Sequence, residues 1–143
     1  MNESIVKEFT PFVIIKPKRD KTVEVSSGYT IYYKDEVEGR ISCFIPSFDI
    51  YFSATSIDEV KTKGTRIVKI YIDYYFLHSK NRLKDFVLQI HKLGFKAIND
   101  AITIKNLINN IPTQAKFKSS KGRSSEFLDS EKIDVESEME MAI

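Results

Sequence analysis

The hydrophobic period of this chain changes sharply at Ser56, and that change limits the folds open to it. Before Ser56 apolar residues recur at every second position; after it they recur at every third or fourth. "FDIYFSA" at 48–54 sets Phe48, Ile50 and Phe52 on one side of an extended segment. "TSIDEV" then supplies a helix start, with Glu59 three residues after Ser56, the spacing of a capping box. Ile57, Val60, Gly64, Ile67, Val68, Tyr71 and Tyr75 follow as one apolar helical stripe. A strand that feeds a capped amphipathic helix is expected to have that helix pack back on its own sheet. Gly64 lies on the stripe; it costs about 1 kcal/mol of helix propensity against alanine and lets the helix approach the strands closely.

Two more strands are expected upstream. "TVEVSSGYTIYYKD" at 22–35 alternates, with Val23, Val25, Tyr29, Ile31 and Tyr33 pointing one way. Gly28 inside it marks a candidate bulge. "DEVEG" at 35–39 is an acidic hairpin turn, and "RISCFIP" at 40–46 is a strand ended by Pro46. "FVIIKP" at 12–17 reads either as a short strand or as an apolar arm over one edge. Downstream, "HSKN" at 78–81 interrupts the helix. A second helical stripe follows in Leu83, Phe86, Val87, Ile90 and Leu93, with Gly94 at the left-handed cap position. "FKAI" at 95–98 suits a short closing strand, and 99–111 suits helix or strand equally well.

The expected fold class is therefore α+β: a three-stranded antiparallel meander, then a long helix and a second helix packed on one sheet face. Residues 1–111 read as one domain. After Pro112 the composition turns to Ser, Lys and Glu, so 112–143 reads as a disordered charged tail.

The net charge of +2 gives no broad positive field of the kind a DNA-binding domain carries. Cys43 is the sole cysteine, which forbids an internal disulfide and suits a reducing, cytoplasmic setting. The N-terminal stretch lacks the basic-then-apolar pattern of a signal peptide, and no apolar run reaches membrane-spanning length.

No catalytic set assembles from these residues. His78 and His91 have no metal-ligand spacing, and His91 beside Lys92 suits the negative end of a helix dipole. Cys43 alternates with Ile41 and Ile45 and reads as a small core hydrophobe. Asp49 and Asp73 read as exposed charges. No cofactor or metal is expected. Tyrosines and phenylalanines fit a sheet face and a helix face, with Tyr51, opposite Ile50, the best exposed candidate for contact. Lys116, Lys118, Lys121 and Arg123 form a basic patch that could touch phosphate, although a solvated linker accounts for it too.

The stretch 29–75 resembles the N-terminal domain of the HicB-like antitoxins, and the resemblance extends toward 98 through "LQIHKLGFKA". The matching parts are "YTIYYKDEVEG", "RISCFIP" with its proline at Pro46, "FDIYFSA", and the cap of Thr55, Ser56 and Glu59 leading into a helix that ends in aromatics. The glycine that usually precedes the cap is absent; Phe52, Ser53 and Ala54 stand there. The resemblance implies a partly degenerate ribonuclease-H-like sheet and a protein that neutralises a small RNA-cleaving, HicA-like toxin by binding it. After residue 98 no helix-turn-helix or ribbon-helix-helix pattern follows, which leaves transcriptional autoregulation without a carrier.

The functional expectation is a non-enzymatic protein-binding module. Its surface is the outer sheet face around Tyr32, Phe44, Asp49 and Tyr51. A second copy of the chain is a further candidate partner. The alternative is a nucleic-acid-binding protein using exposed tyrosines and the patch at 116–123, with an enzyme in third place.

Overall fold

Strand β2 (Thr22–Asp35) is the spine on which everything else is hung. In a computed structural model that describes residues 9–18, 21–35, 39–78, 82–98, 114–121 and 129–142, both of its edges are used. One edge pairs antiparallel with β7 (Glu131–Ala142) along residues 22–33. The other is shared: β1 (Phe12–Pro17) takes residues 23–28 and β3 (Ile41–Ile45) takes residues 32–35. β4 (Ile50–Ala54) extends the sheet beyond β3. β6 (Ala115–Ser119) and then β5 (Phe95–Ala97) extend it beyond β1. Among the described residues, seven antiparallel strands result.

This overturns the expected three-stranded meander and its tail. The stretch 22–54 does form the meander β2–β3–β4, but as part of a larger sheet. β6 and β7 come from the residues read as disordered. The reason is period. "EKIDVESEMEMA" is acidic on average, yet Ile133, Val135, Met139 and Met141 fall on one side, with Val135 and Met141 buried. "AKFKS" likewise buries Ala115 and Phe117 and exposes Lys116 and Lys118. Burying a side chain of this size stabilises by about 1.5–3 kcal/mol, which composition alone does not reveal. The segment read as equally helix or strand, 99–111, lies outside the described residues.

The inner face carries Val13, Ile15, Val23, Val25, Tyr29, Ile31, Cys43 and Ile45, and two helices cover it. α1 (Ile57–His78) lays Val60, Gly64, Val68, Ile72 and Phe76 on the strands. A Cβ at Gly64 would come within 2.5 Å of Ile31 Cδ1, so the close approach expected of this glycine is present. α2 (Arg82–Lys92) buries Phe86, Val87 and Ile90, and Gly94 (φ +105°) turns the chain into β5. Gly28 makes no bulge, since the pairing with β7 runs through it unbroken and the pairing with β1 reaches it in register. It makes room instead: a Cβ there would collide with the Phe12 ring.

The strand-to-helix junction is fixed by hydrogen bonds. Ser56 Oγ accepts from Glu59 N–H at 3.2 Å. The Glu59 carboxylate reaches back one residue further than a standard box, accepting from the hydroxyl and the N–H of Thr55. Lys63 Nζ donates to Ser53 O at 2.6 Å and stands 3.8 Å from Glu59, tying the helix to β4. Ser56→Ala is expected to cost about 1 kcal/mol, read as a lower urea midpoint. The bonds from Thr55, hydroxyl first, hold the Glu59 carboxyl below its usual range. A lowered folded-state value gives stability that is present above the unfolded value and lost as pH falls through the folded one. The gap in midpoint between the parent and Glu59→Gln is therefore expected to narrow as pH drops below 4.5.

Candidate protein-binding face

Opposite the helices, the outer face of the sheet sorts its side chains by row, with Thr30 and Tyr32 buried and Tyr51 and the acidic side chains of β7 exposed. In register, Lys132 of β7, Tyr32 of β2, Phe44 of β3 and Tyr51 of β4 stand side by side. Period-two alternation puts all four on the outer face. Phe44 and Tyr51 are stacked, with centroids 4.2 Å apart and planes 18° from parallel. Such a pair adds about 0.5–1.5 kcal/mol beyond its buried area. Tyr51 remains 72% exposed even so, whereas Tyr32 is 4% exposed and serves as the floor of the row.

Three of the four residues expected at a partner-binding surface are thus brought together, and the fourth is placed differently. Asp49 does not lie on a strand. Pro46–Phe48 form a single 3₁₀ turn, and Asp49 follows it in the left-handed region (φ 54°), donating its N–H to Pro46 O at 3.2 Å. Its carboxylate is exposed at the corner where β4 begins. Phe48, expected on the strand face, instead drops from this turn into the core.

Of the basic residues, Lys116 and Lys118 stand together on the outer side of β6, and Lys96 of β5 is in register with Lys118. Lys121 lies in the turn after β6, its methylenes close to Gly94. Arg123 lies outside the described residues. The sequence reading did not single out a third feature: Asp134, Glu136, Glu138 and Glu140 share the outer side of β7. The alternation of acid and apolar residues from Ile133 to Met141, broken only at Ser137, was the signal.

Cys43 is buried, and burial pushes its thiol up from its usual value, which keeps it un-ionised and unreactive. Burial, with Tyr71 beside it, pushes the Tyr75 phenol up to about 12. His91 is exposed in a shallow depression with Asp85, Leu88, Gln89 and Lys92. Among the described residues no three His, Cys, Asp or Glu side chains gather into a metal site, and no helix is long and apolar enough to cross a membrane.

No protein-family model, no curated protein and no solved structure matches this chain.

Proposed function

We propose that this chain is a non-enzymatic protein-binding module whose partner seats on the outer sheet face at Tyr51 and Phe44. The observation that carries the reading is the exposed Tyr51 ring held flat on Phe44. A pre-ordered aromatic loses little side-chain freedom on binding, and interface energy concentrates in such anchors. The resemblance of 29–75 to HicB-like antitoxins, taken by itself, makes the partner a small RNA-cleaving toxin that is silenced by being covered. A reducing cytoplasm suits the single free cysteine. Nucleic acid is the weaker reading. Lys96, Lys116 and Lys118 would attract phosphate, but the four carboxylates of β7 face the same side of the sheet and repel it.

The test is co-expression with small toxin genes from the same locus, read by growth and by co-purification. Tyr51→Ala is expected to weaken the complex by about 2 kcal/mol while the chain still folds cooperatively, its melting temperature lowered only by the few degrees that the lost stacking on Phe44 accounts for. Metal-dependent nuclease activity in the purified chain, lost in Asp49→Asn, would overturn the reading in favour of an enzyme.

A further inference from the structure

β7 pairs with β2 along its whole length, and among the described residues no strand lies on its other side. At about 3.3 Å per residue this open edge is roughly 40 Å long. Alternate residues of an edge strand turn their N–H and C=O groups outward, so such an edge is a template for another strand. Its side chains are sorted by face. Asp134, Glu136, Glu138 and Glu140 stand in one column on the outer face, with Ile133, Val135, Met139 and Met141 on the core side. Asp134 accepts a hydrogen bond from Thr30 at 2.6 Å and Glu140 one from Thr22 at 3.3 Å. Glu136 and Glu138 make no ion pair with any described residue.

We propose that the free edge of β7 accepts an extended basic segment of a partner protein as an added strand, its alternate lysines or arginines set beside the acidic column. The proposal rests on the protein-binding reading but uses a different part of the sheet from Tyr51. Charge complementarity selects the occupant. A second copy pairing antiparallel about Ser137 would set Asp134 against Glu140 and Glu136 against Glu138, and like charges directly across a ladder destabilise it. A polyanion meets the same four carboxylates. A basic strand satisfies the backbone groups and the carboxylates together, and apolar residues at its other positions continue the core side of β7.

Two short synthetic peptides, one alternating Lys and Val and one alternating Glu and Val, test this on the full chain. Binding is read by fluorescence anisotropy at low and high salt, and by hydrogen exchange at β7. The Lys–Val peptide is expected to bind, to weaken with salt, and to slow exchange of the outward β7 amides; the Glu–Val peptide is not. Glu136→Lys with Glu138→Lys is expected to lose about tenfold in affinity for the first peptide and to gain for the second. Tyr51→Ala should bind the Lys–Val peptide as the parent does, so this edge and the aromatic row fail separately. The proposal is overturned by no binding, by binding that ignores the charge reversal, by unchanged β7 exchange, by β7 amides already protected in the free chain, or by dimerisation through β7.

Discussion

Phe48→Ala is expected to cost about 4 kcal/mol, within the range for a fully buried phenylalanine whose cavity cannot collapse. Phe48 is 1% exposed and has a ring on three sides. Tyr29 of β2 meets it edge-on at 5.9 Å, Tyr71 of α1 at 5.7 Å, and Phe95 of β5 at 5.4 Å. One side chain thus joins the spine strand, the long helix and the closing strand. Removing it opens a hole whose lining belongs to three elements, none of which can move without losing its own pairing. Total stability of a domain is typically about 5–15 kcal/mol, so the loss is a large share of it. Urea unfolding measures it. Phe48→Leu keeps most of the volume and should lose less than about 1.5 kcal/mol. Equal losses in the two variants would show that the ring contacts, and not the bulk, carry the stabilisation.

Ending the chain after Asp129 is expected to abolish cooperative folding. That truncation strips one whole edge of β2 over residues 22–33 and exposes the core side chains that Val135 and Met141 cover. A gentler version is Val135→Asp. It sets an unpaired carboxylate where a 3% exposed valine faces Tyr29 across the ladder, and should cost about 3 kcal/mol or more. Both are read by circular dichroism melts and by limited proteolysis. A truncated chain that melts like the parent would mean that β7 is an ornament on a sheet complete without it, as the tail reading of 112–143 expects.

The contrast shows where the sequence was legible. Local signals were clear: the switch of period at Ser56, the Ser56 and Glu59 cap, the middle of the α1 stripe at Val60, Gly64 and Val68, the glycine that ends α2, and the outward side of Tyr51. Each rests on neighbours a few residues apart. The ends of the stripe were not clear, since Ile57 is 47% exposed and Ile72 and Phe76 are the residues buried further along. Strand β7 was missed because its carboxylates dominate any average of composition, while its apolar positions gain their partners from β2 and α1, both far away in the sequence. Phe48 was misplaced for a related reason. Pro46 permits a 3₁₀ turn as readily as it ends a strand, and the choice was made by the aromatic pocket waiting beneath. The acidic column was invisible as a surface because β7 itself went unread, whereas Tyr32, Phe44 and Tyr51 could be named together from the alternation of three strands that follow one another in the chain.

Strand β7 closes against a strand made about a hundred residues before it. Thr30 and Asp134, joined by a hydrogen bond, are separated by 104 residues, and Thr22 and Glu140 by 118. Such pairing must pay the entropy of closing a very long loop before it returns any energy, and folding rates fall as the mean sequence separation of contacts rises. During synthesis the edge of β2 that β7 will occupy stands open until β7 emerges. The chain is therefore slow to become native and adhesive while it waits. The carboxylates along β7 then have a part in time as well as in space: they keep the late strand from pairing with another copy before it finds its own spine.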